Sequence, residues 1–302
     1  MSAVISASNV DYSKFNTSMS GGGEIILRRR NLFLTSAIVC PLHVLALPVA
    51  GALMALPLIF SQPAEAACSV TGTTVLVSCD ATSASVSMTA GDGSLTVDSE
   101  SVASVIYASP QVPGTYNQAV NLIGTTAINR ADYSGLVMQF GTDSSTPPQY
   151  IPVTVNATVN IASGVTASSG PAGGFGTIWV RNDYAGNIAI DNAGTISLQA
   201  PASSTAAISG SSNSGAVAIT NSGTVTSDGG RGIYADGTTL ETVVVTNTAT
   251  GTVNSTTAAI RVIAYGGSLA SIVNAGEARS TLFQGLIAWS ANGDATITNT
   301  GI

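Results

Sequence analysis

The chain has 302 residues, a formal net charge of −7 at pH 7 and 8% charged residues, against about 25% in a typical soluble domain. Lys and Arg together number only 9, which argues against a nucleic acid partner, because binding to phosphate backbones needs clustered cations. The chain is 45% hydrophobic, and most of its apolar residues are small or β-branched, which favours strands over a helical core.

The N-terminal part has the organisation of an export signal. Residues 1–23 are predicted to be a polar extension, and a start at Met19 is an open alternative. Residues 24–66 combine the basic cluster Arg28–Arg30, a long apolar segment and a small-residue site, which is typical of a secretory signal peptide. We expect this segment to form a signal helix that engages the Sec export machinery.

Cleavage is expected between Ala66 and Ala67, where small residues precede the site. The alternative is a transmembrane anchor, since the apolar segment is long enough to span a bilayer. Proline interrupts that segment three times, at residues 41, 48 and 57, which favours the signal peptide.

After cleavage two cysteines remain, Cys68 and Cys79. In an exported chain such a pair predicts one disulfide that closes a short loop. A metal or redox pair is the weaker alternative, because the only His, His43, lies in the signal peptide and no Cys-x-x-Cys is present. A lipoprotein anchor at Cys68 is also disfavoured, because Glu65 precedes it where a bulky apolar residue is expected. We expect no cofactor and no metal.

Residues 67–180 are predicted to be an irregular version of the repeat that follows, with loops between short strands. Alternating apolar runs bounded by Gly, Asp, Asn and Ser predict these strands. The runs are Thr74–Ser78, Ala84–Met88, Ser104–Tyr107, Gly135–Phe140 and Pro152–Val155.

Residues 181–302 repeat a phrase of the form Ile/Val-x-Asn-x-Gly-x-Ile/Val about every 25 to 29 residues. Repeats of this period indicate stacked structural units. Ile, Val or Ala stands two and four residues before each Asn, so these columns face one side of a strand. The Asn residues are Asn192, Asn221, Asn247, Asn274 and Asn299.

These columns predict an all-β fold, a parallel β-solenoid with three short strands in each coil. Apolar columns through Ile208 and Ile196 would supply the other two strands. Stacked coils would bury like residues on like, and the Asn residues would form a ladder of amides at one corner. The glycines of the phrase are expected to supply corner dihedrals that other residues avoid, and they are Gly194, Gly223, Gly251, Gly276 and Gly301. Because the chain ends within a repeat, we expect a missing C-terminal portion.

A catalytic set is not evident, since a Ser nucleophile needs a base and the mature chain has no His. Aromatic and arginine residues near the strands that hold Ile208 and its equivalents are the preferred candidates for partner contact. The alternative is that they are packing residues and singly solvated arginines. The candidates are Trp179, Arg181, Arg231, Tyr234, Arg261, Tyr265 and Trp289.

The signal peptide and the recurring Asn-x-Gly phrase resemble the passenger region of Gram-negative autotransporters, over residues 24–302. The resemblance implies a right-handed parallel β-helix of the pertactin type, exported through the inner membrane and displayed at the cell surface. It also implies a C-terminal outer-membrane β-barrel, whose tilted alternating strands this sequence does not contain. Without that barrel we expect a secreted or periplasmic protein.

The resemblance therefore predicts a non-enzymatic structural or adhesive rod that binds host or neighbouring cell surfaces, with a glycan as the candidate ligand. Two alternatives remain open. One is a β-helix enzyme that degrades polysaccharides, which would need grouped acidic or basic residues along one coil face. The other is an inert spacer or the product of a truncated gene.

Overall fold

A computed structural model describes residues 74–77, 85–88, 92–98, 102, 104–107, 110, 112–130, 134–141, 151–170, 175–199 and 205–302. All of these belong to one compact unit, and a second unit, Ser8–Gln62, falls outside the described residues. The predicted signal peptide, its cleavage site at Ala66 and Ala67, and the cysteine pair Cys68 and Cys79 also lie outside them.

The described residues form strands β1 to β23, which belong to three parallel sheets. Sheet A contains β1 (Thr74–Val77), β3 (Gly93–Val97), β5 (Gly114–Leu122), β8 (Val153–Ile161), β11 (Ile188–Asn192), β14 (Val217–Asn221), β17 (Val243–Asn247), β20 (Ala270–Asn274) and β23 (Ala295–Asn299). Sheet B contains β2 (Ser85–Met88), β4 (Ser104–Tyr107), β7 (Leu136–Phe140), β10 (Ile178–Asn182), β13 (Ala206–Ser212), β16 (Arg231–Gly237), β19 (Ile260–Ala264) and β22 (Leu286–Ser290). Sheet C contains β6 (Ala127–Arg130), β9 (Thr166–Ser169), β12 (Thr195–Leu198), β15 (Thr224–Ser227), β18 (Thr252–Ser255) and β21 (Glu277–Ser280).

β1 to β4 alternate between sheets A and B; from β5 onward the chain visits the sheets in the order A, C, B and then returns to A one strand further along. Each strand therefore pairs in parallel with its equivalent in the next coil, as Ile190 with Ile219 in sheet A and Ile208 with Ile233 in sheet B. This is the parallel β-solenoid with three strands per coil that the repeat predicts. Among the described residues no helix is long and apolar enough to cross a membrane.

The core lies between the three sheets and is built from the predicted apolar columns. Ile190, Ile219, Val245 and Ile272 stack in sheet A and are at most 1% exposed. Ile208, Ile233 and Ile260 in sheet B and Ile196, Val225 and Val253 in sheet C are fully buried, whereas Leu286 and Ala278 in the last coil are partly buried. β-Branched side chains suit this arrangement because they are stiff and pack well on the pleated surface of a sheet.

The Asn residues occupy the last position of their sheet A strands, and their side chains point inward. Asn192 Nδ2 donates to Asn221 Oδ1 at 2.8 Å, Asn221 to Asn247 at 2.8 Å, and Asn247 to Asn274 at 2.7 Å. Asn274 continues the ladder by donating to Asn299 at 2.7 Å. The amides satisfy one another from coil to coil, so the column can be buried without unpaired polar groups.

The same amide group also bonds to the carbonyl of the glycine two residues later. Asn221 Nδ2 donates a second hydrogen bond to the carbonyl of Gly223 at 3.2 Å, and Asn274 does the same to Gly276 at 3.2 Å. The Asn-x-Gly phrase is therefore one hydrogen-bonded corner, with the side chain of its first residue holding the carbonyl of its third.

The expectation that these glycines supply unusual dihedrals is wrong. None of the five has the positive φ that favours glycine, whereas seven other glycines of the described residues do, among them Gly186 at 118°. The reason for glycine at the corner is close approach between coils. A Cβ at Gly223 would lie 2.1 Å from the carbonyl oxygen of Gly194, and a Cβ at Gly276 would lie 2.1 Å from that of Gly251. Stacked corners leave no room for a side chain.

A second polar ladder, which the repeat phrase does not predict, runs along the outside of sheet A. Asn156 Nδ2 donates to Asn117 Oδ1 at 3.0 Å, and the backbone N–H of Asn187 donates to Asn156 Oδ1 at 3.2 Å. Asn187 Oδ1 in turn accepts from the backbone N–H of Ala216 at 2.9 Å, and Asp92 accepts from that of Asn117 at 2.6 Å. This ladder continues into the N-terminal coils, where the inner column holds aliphatic residues such as Ile161 instead of Asn.

Candidate binding site on the outer face of sheet B

Every candidate contact residue lies on or beside sheet B. Trp179, Tyr234 and Arg261 belong to one outward row, because Trp179 pairs with Ser209, Ser209 with Tyr234, and Tyr234 with Arg261. A second outward row contains Arg181, Ser211, Asp236, Ile263 and Trp289. Period-2 alternation puts both rows on the side of the sheet opposite to the apolar core.

The aromatic residues form pairs with neighbours in space. Phe175 stacks on Trp179 with ring centroids 4.4 Å apart and planes inclined by 22°. Tyr265 meets Trp289 edge to face at 5.5 Å. Phe175 and Tyr265 are 41% and 45% exposed, so each pair presents an aromatic surface to solvent. Phe175 precedes β10 and has no equivalent in the repeat, so the sequence pattern does not predict it.

The three arginines do not form one row of free cations. Arg231 lies over the ring of Tyr234, with Cζ 4.9 Å from the ring centroid, in a cation–π contact. Arg181 forms an ion pair through Nε with Asp183, whose other carboxylate oxygen accepts from Gln139 at 3.0 Å. Arg261 has a buried Nε without a hydrogen-bond partner. Each guanidinium therefore has a different environment, and the sheet carries no uniform basic stripe.

A groove of about 230 Å³ opens on this face of sheet B. Its lining residues come from β10, β13, β16 and the segments before them, and they are Phe175, Trp179, Arg181, Thr205, Ala206, Ser209, Ser211, Tyr234 and Asp236. The coil in the middle supplies only small residues to this surface, while the coils on either side supply aromatic ones. The groove is therefore a gap in an otherwise bulky row.

Asp236 is a candidate site residue that the repeat pattern does not predict, since its neighbour in the previous coil is Ser211. Burial raises the pKa of its carboxyl group, and a hydrogen bond from Ser211 and the charges of Arg181 and Arg231 oppose that shift. Its Oδ1 atom is buried and has no hydrogen-bond partner. Desolvation also raises the pKa of the Tyr234 hydroxyl and lowers that of Arg231, for which the charge of Arg261 is the next cause.

A larger groove of about 400 Å³ lies elsewhere, at the corner between sheets A and C. Its walls are mostly apolar surface, to which Leu122, Ile161 and Ala162 contribute, and its Asn160 donates a hydrogen bond to Asn121 at 2.8 Å. The smaller groove on sheet B has the aromatic walls and the unpaired carboxylate oxygen, so it is the better candidate site despite its size.

Among the described residues no group of three or more His, Cys, Asp or Glu side chains is arranged to hold a metal ion. The protein is a parallel β-solenoid whose sheet B carries aromatic and arginine side chains on its outer face. Comparison with protein-family models, curated proteins and solved structures finds no match for the chain.

Proposed function

We propose that this protein is an exported surface rod of the autotransporter-passenger type, structural and adhesive rather than catalytic. The observation that carries the proposal is the contact face on sheet B, where aromatic and arginine side chains from successive coils share one surface. The parallel solenoid supports it, because a stack of coils presents such contacts along an extended line.

The chemistry of the face suits a glycan. Sugar rings have apolar C–H faces and polar edges, so they can cover an aromatic ring and bond to side chains beside it. The pairs Phe175–Trp179 and Tyr265–Trp289 offer ring faces, and Ser, Asp and Arg side chains lie between them. Contacts repeated along the rod add up by effective concentration, so weak single sites can give firm attachment to a cell surface.

Export and display are part of the same proposal. The basic and apolar segment of residues 24–66 would direct the chain to the Sec machinery. An outer-membrane β-barrel would serve as the anchoring partner, and the protein would act at the cell surface or after secretion. Cell fractionation, with the protein detected in each fraction by an antibody, tests this part of the proposal. Retention of the protein in the cytoplasm would refute it.

Binding is tested with the full chain on a panel of immobilised glycans and on intact cells. We expect saturable binding that is weakened by replacing Tyr265 and Trp289 together with Ala, since this removes one exposed ring pair. The matched control is Phe283→Ala, which removes an aromatic side chain that is 63% exposed but lies outside both rows.

Two results would overturn the proposal. Absence of binding to every cell and glycan tested would favour an inert spacer. Release of shortened sugars from the glycans would favour the polysaccharide-degrading enzyme instead.

A further inference from the structure

Two arginines lie next to one tyrosine ring on the outer face of sheet B. Arg231 lies over the ring of Tyr234, with Cζ 4.9 Å from the ring centroid. Arg261 is the direct neighbour of Tyr234 in β19, and adjacent parallel strands are about 4.8 Å apart. Burial lowers the pKa of Arg231, and the charge of Arg261 is the next cause in size. The two guanidinium groups are therefore close enough to repel each other.

Sheet B carries an excess of positive charge in an acidic chain. The charged residues of its eight described strands are Arg181, Arg231, Asp236 and Arg261, whereas the whole chain has a net charge of −7. Arg181 is paired with Asp183. Asp236 raises the pKa of Arg231 less than Arg261 lowers it. An anion beside Arg231 and Arg261 would therefore enter a positive potential and relieve their repulsion.

Arg261 is the member of this pair whose side chain needs an acceptor. Its Nε atom is buried and has no hydrogen-bond partner, and Arg261 takes part in no ion pair with a described residue. A buried donor without an acceptor is costly. The neighbours of Arg261 in the outer row are Tyr234 and Ile287, which are neutral, so the sheet does not require a charge there. Because Arg261 is partly exposed, an acceptor from solution can reach it, and a bound ligand accounts for such a residue.

An exposed aromatic pair lies beside Arg261 on the same face. Trp289 pairs with Ile263, which is two residues along β19 from Arg261. With strands about 4.8 Å apart and a rise of about 3.3 Å per residue, the side chains of Arg261 and Trp289 start roughly 8 Å apart. Tyr265 meets Trp289 edge to face at 5.5 Å and is itself 45% exposed. A cation and an aromatic surface therefore lie within reach of a single sugar residue.

We infer that this cluster, the Arg231–Arg261 site, binds an acidic sugar residue of a cell-surface glycan. The carboxylate or sulfate group of the sugar accepts hydrogen bonds from Arg261 in the positive field of both arginines, and the apolar side of its ring contacts Tyr265 and Trp289. A guanidinium group suits such an oxyanion because it can donate two parallel hydrogen bonds. The inference rests on the proposed glycan-binding function and assigns its ligand class and its site.

Methyl esterification supplies a pair of ligands that differ in charge but share their sugar rings. Titration calorimetry with the full chain measures binding of oligogalacturonate and of its methyl ester at equal length. We expect the free acid to bind about tenfold more tightly at low ionic strength, as expected for hydrogen bonds to a charged group. Added salt should reduce this preference, because it screens charges that are partly exposed. Sulfated and unsulfated galactose oligosaccharides form a second arm, which distinguishes a sulfate source from a carboxylate source.

The decisive variant is Arg261→Gln, which removes the charge and keeps a polar side chain. It should abolish the preference for the acidic sugar and leave binding of the neutral counterpart unchanged. The thermal midpoint of unfolding should not fall, because the guanidinium group of Arg261 has no ion pair to lose. Arg261→Lys keeps the charge but not the paired donors, so it should restore part of the salt-dependent preference. The matched control is Arg279→Gln, which removes the same charge from an exposed residue of sheet C and should bind normally.

The outcomes separate this inference from the proposed function. If the Tyr265 and Trp289 replacements weaken glycan binding but Arg261→Gln leaves the preference for acidic sugars intact, the site is refuted and the adhesive face stands. If neutral sugars bind as tightly as their acidic counterparts in both arms, the ligand class is refuted. If polyglutamate of equal charge binds as tightly as oligogalacturonate, the site takes acidic peptides and the assignment to sugars is wrong. If no glycan binds the wild-type chain, both proposals fail.

Discussion

Replacement of Asn221 by Asp tests the amide ladder by exchanging one heavy atom of the side chain, Nδ2, for oxygen. Asn221 is fully buried, accepts from Asn192 and donates to Asn247 Oδ1 at 2.8 Å and to Gly223 O at 3.2 Å. A carboxylate keeps the first of these bonds. It loses both donated bonds and places a negative oxygen against two acceptors.

The expected cost follows from those contacts. Each lost bond removes about 1 kcal/mol, and each buried acceptor left unpaired costs roughly 1–3 kcal/mol more. For two lost bonds and two unpaired acceptors these terms sum to roughly 4–8 kcal/mol, so the free energy of unfolding should fall by at least about 4 kcal/mol at pH 7. A protonated Asp carries one O–H and can restore one donated bond, so the loss should shrink to about 2 kcal/mol near pH 4.

The direction of the pH effect follows from linkage. Burial beside two acceptors raises the folded-state pKa of the introduced carboxyl above its unfolded value of about 3.9. The folded variant therefore holds its proton more tightly than the unfolded chain does. Its stability is greatest below that unfolded pKa and falls as the pH rises through the folded pKa. Wild-type Asn221 does not titrate.

Urea unfolding of the full chain, followed by circular dichroism at several pH values, measures these differences. The matched control is Asn299→Asp, because Asn299 accepts from Asn274 and its side chain is exposed. An acceptor at an exposed position is kept by the substitution, so the control should change stability by less than about 0.5 kcal/mol. If Asn221→Asp behaves like this control at pH 7, the ladder does not stabilise the solenoid.

Three further predictions concern the core, a turn and the buried carboxyl group of Asp236. Ile219→Ala should lower the free energy of unfolding by roughly 2–5 kcal/mol, because it truncates a core side chain. The control Arg279→Ala changes a side chain that is 61% exposed and should alter the free energy of unfolding by less than about 0.5 kcal/mol. Equal effects of the two substitutions would refute the buried column. Gly186→Ala should destabilise by more than about 1 kcal/mol in a thermal melt, because φ is 118° and the new Cβ would lie 2.1 Å from the carbonyl of Val155. Asp236→Asn should stabilise the protein at neutral pH, because the pKa of Asp236 is raised in the folded protein and wild-type stability falls as its carboxyl group ionises. At acidic pH this difference in stability should disappear. A gain in the free energy of unfolding that is the same at all pH values would contradict the prediction.

The columns of sheets A, B and C could be predicted because a solenoid repeats its environment as well as its sequence. Ile190 and Ile219 occupy equivalent positions in successive coils, so aligning the Asn residues aligns the core. The Asn ladder was equally accessible, since only mutual pairing satisfies amides buried in a column. The reason for the following glycine was not accessible. Close approach and positive φ both select glycine, and only coordinates distinguish them.

The N-terminal coils were harder to predict because their spacing varies. Asn121 and Asn160 occupy equivalent positions 39 residues apart, whereas Asn192 and Asn221 are 29 apart. Residues added between strands change the length of a coil without changing its register, so a search for a fixed period fails there. The inner column also changes from Ile161 to Asn192, which removes the marker used for alignment.

The sequence could assign the candidate contact residues to one face of sheet B, but it could not predict their neighbours in space. Trp179 and Tyr234 stand at alternating positions of predicted strands, which assigns them to one surface. The gap between them in the outer row exists because Ser209 lies there, and nothing in the sequence distinguishes Ser209 from other small residues. Likewise, the composition counts Arg181 as a cation, but only the structure shows that its charge is paired with Asp183.

Inner and outer rows of the same strands therefore carry different kinds of information. Inner positions such as Ile208 and Ile233 must match their neighbours, because a mismatch leaves a cavity or an unpaired polar group. Outer positions do not pack into the core between the three sheets, so Trp179, Ser209 and Tyr234 can differ in size within one row. The outer row therefore stops repeating where the inner row continues, and Ser209 or Asp236 can change without altering the columns that hold the coils together.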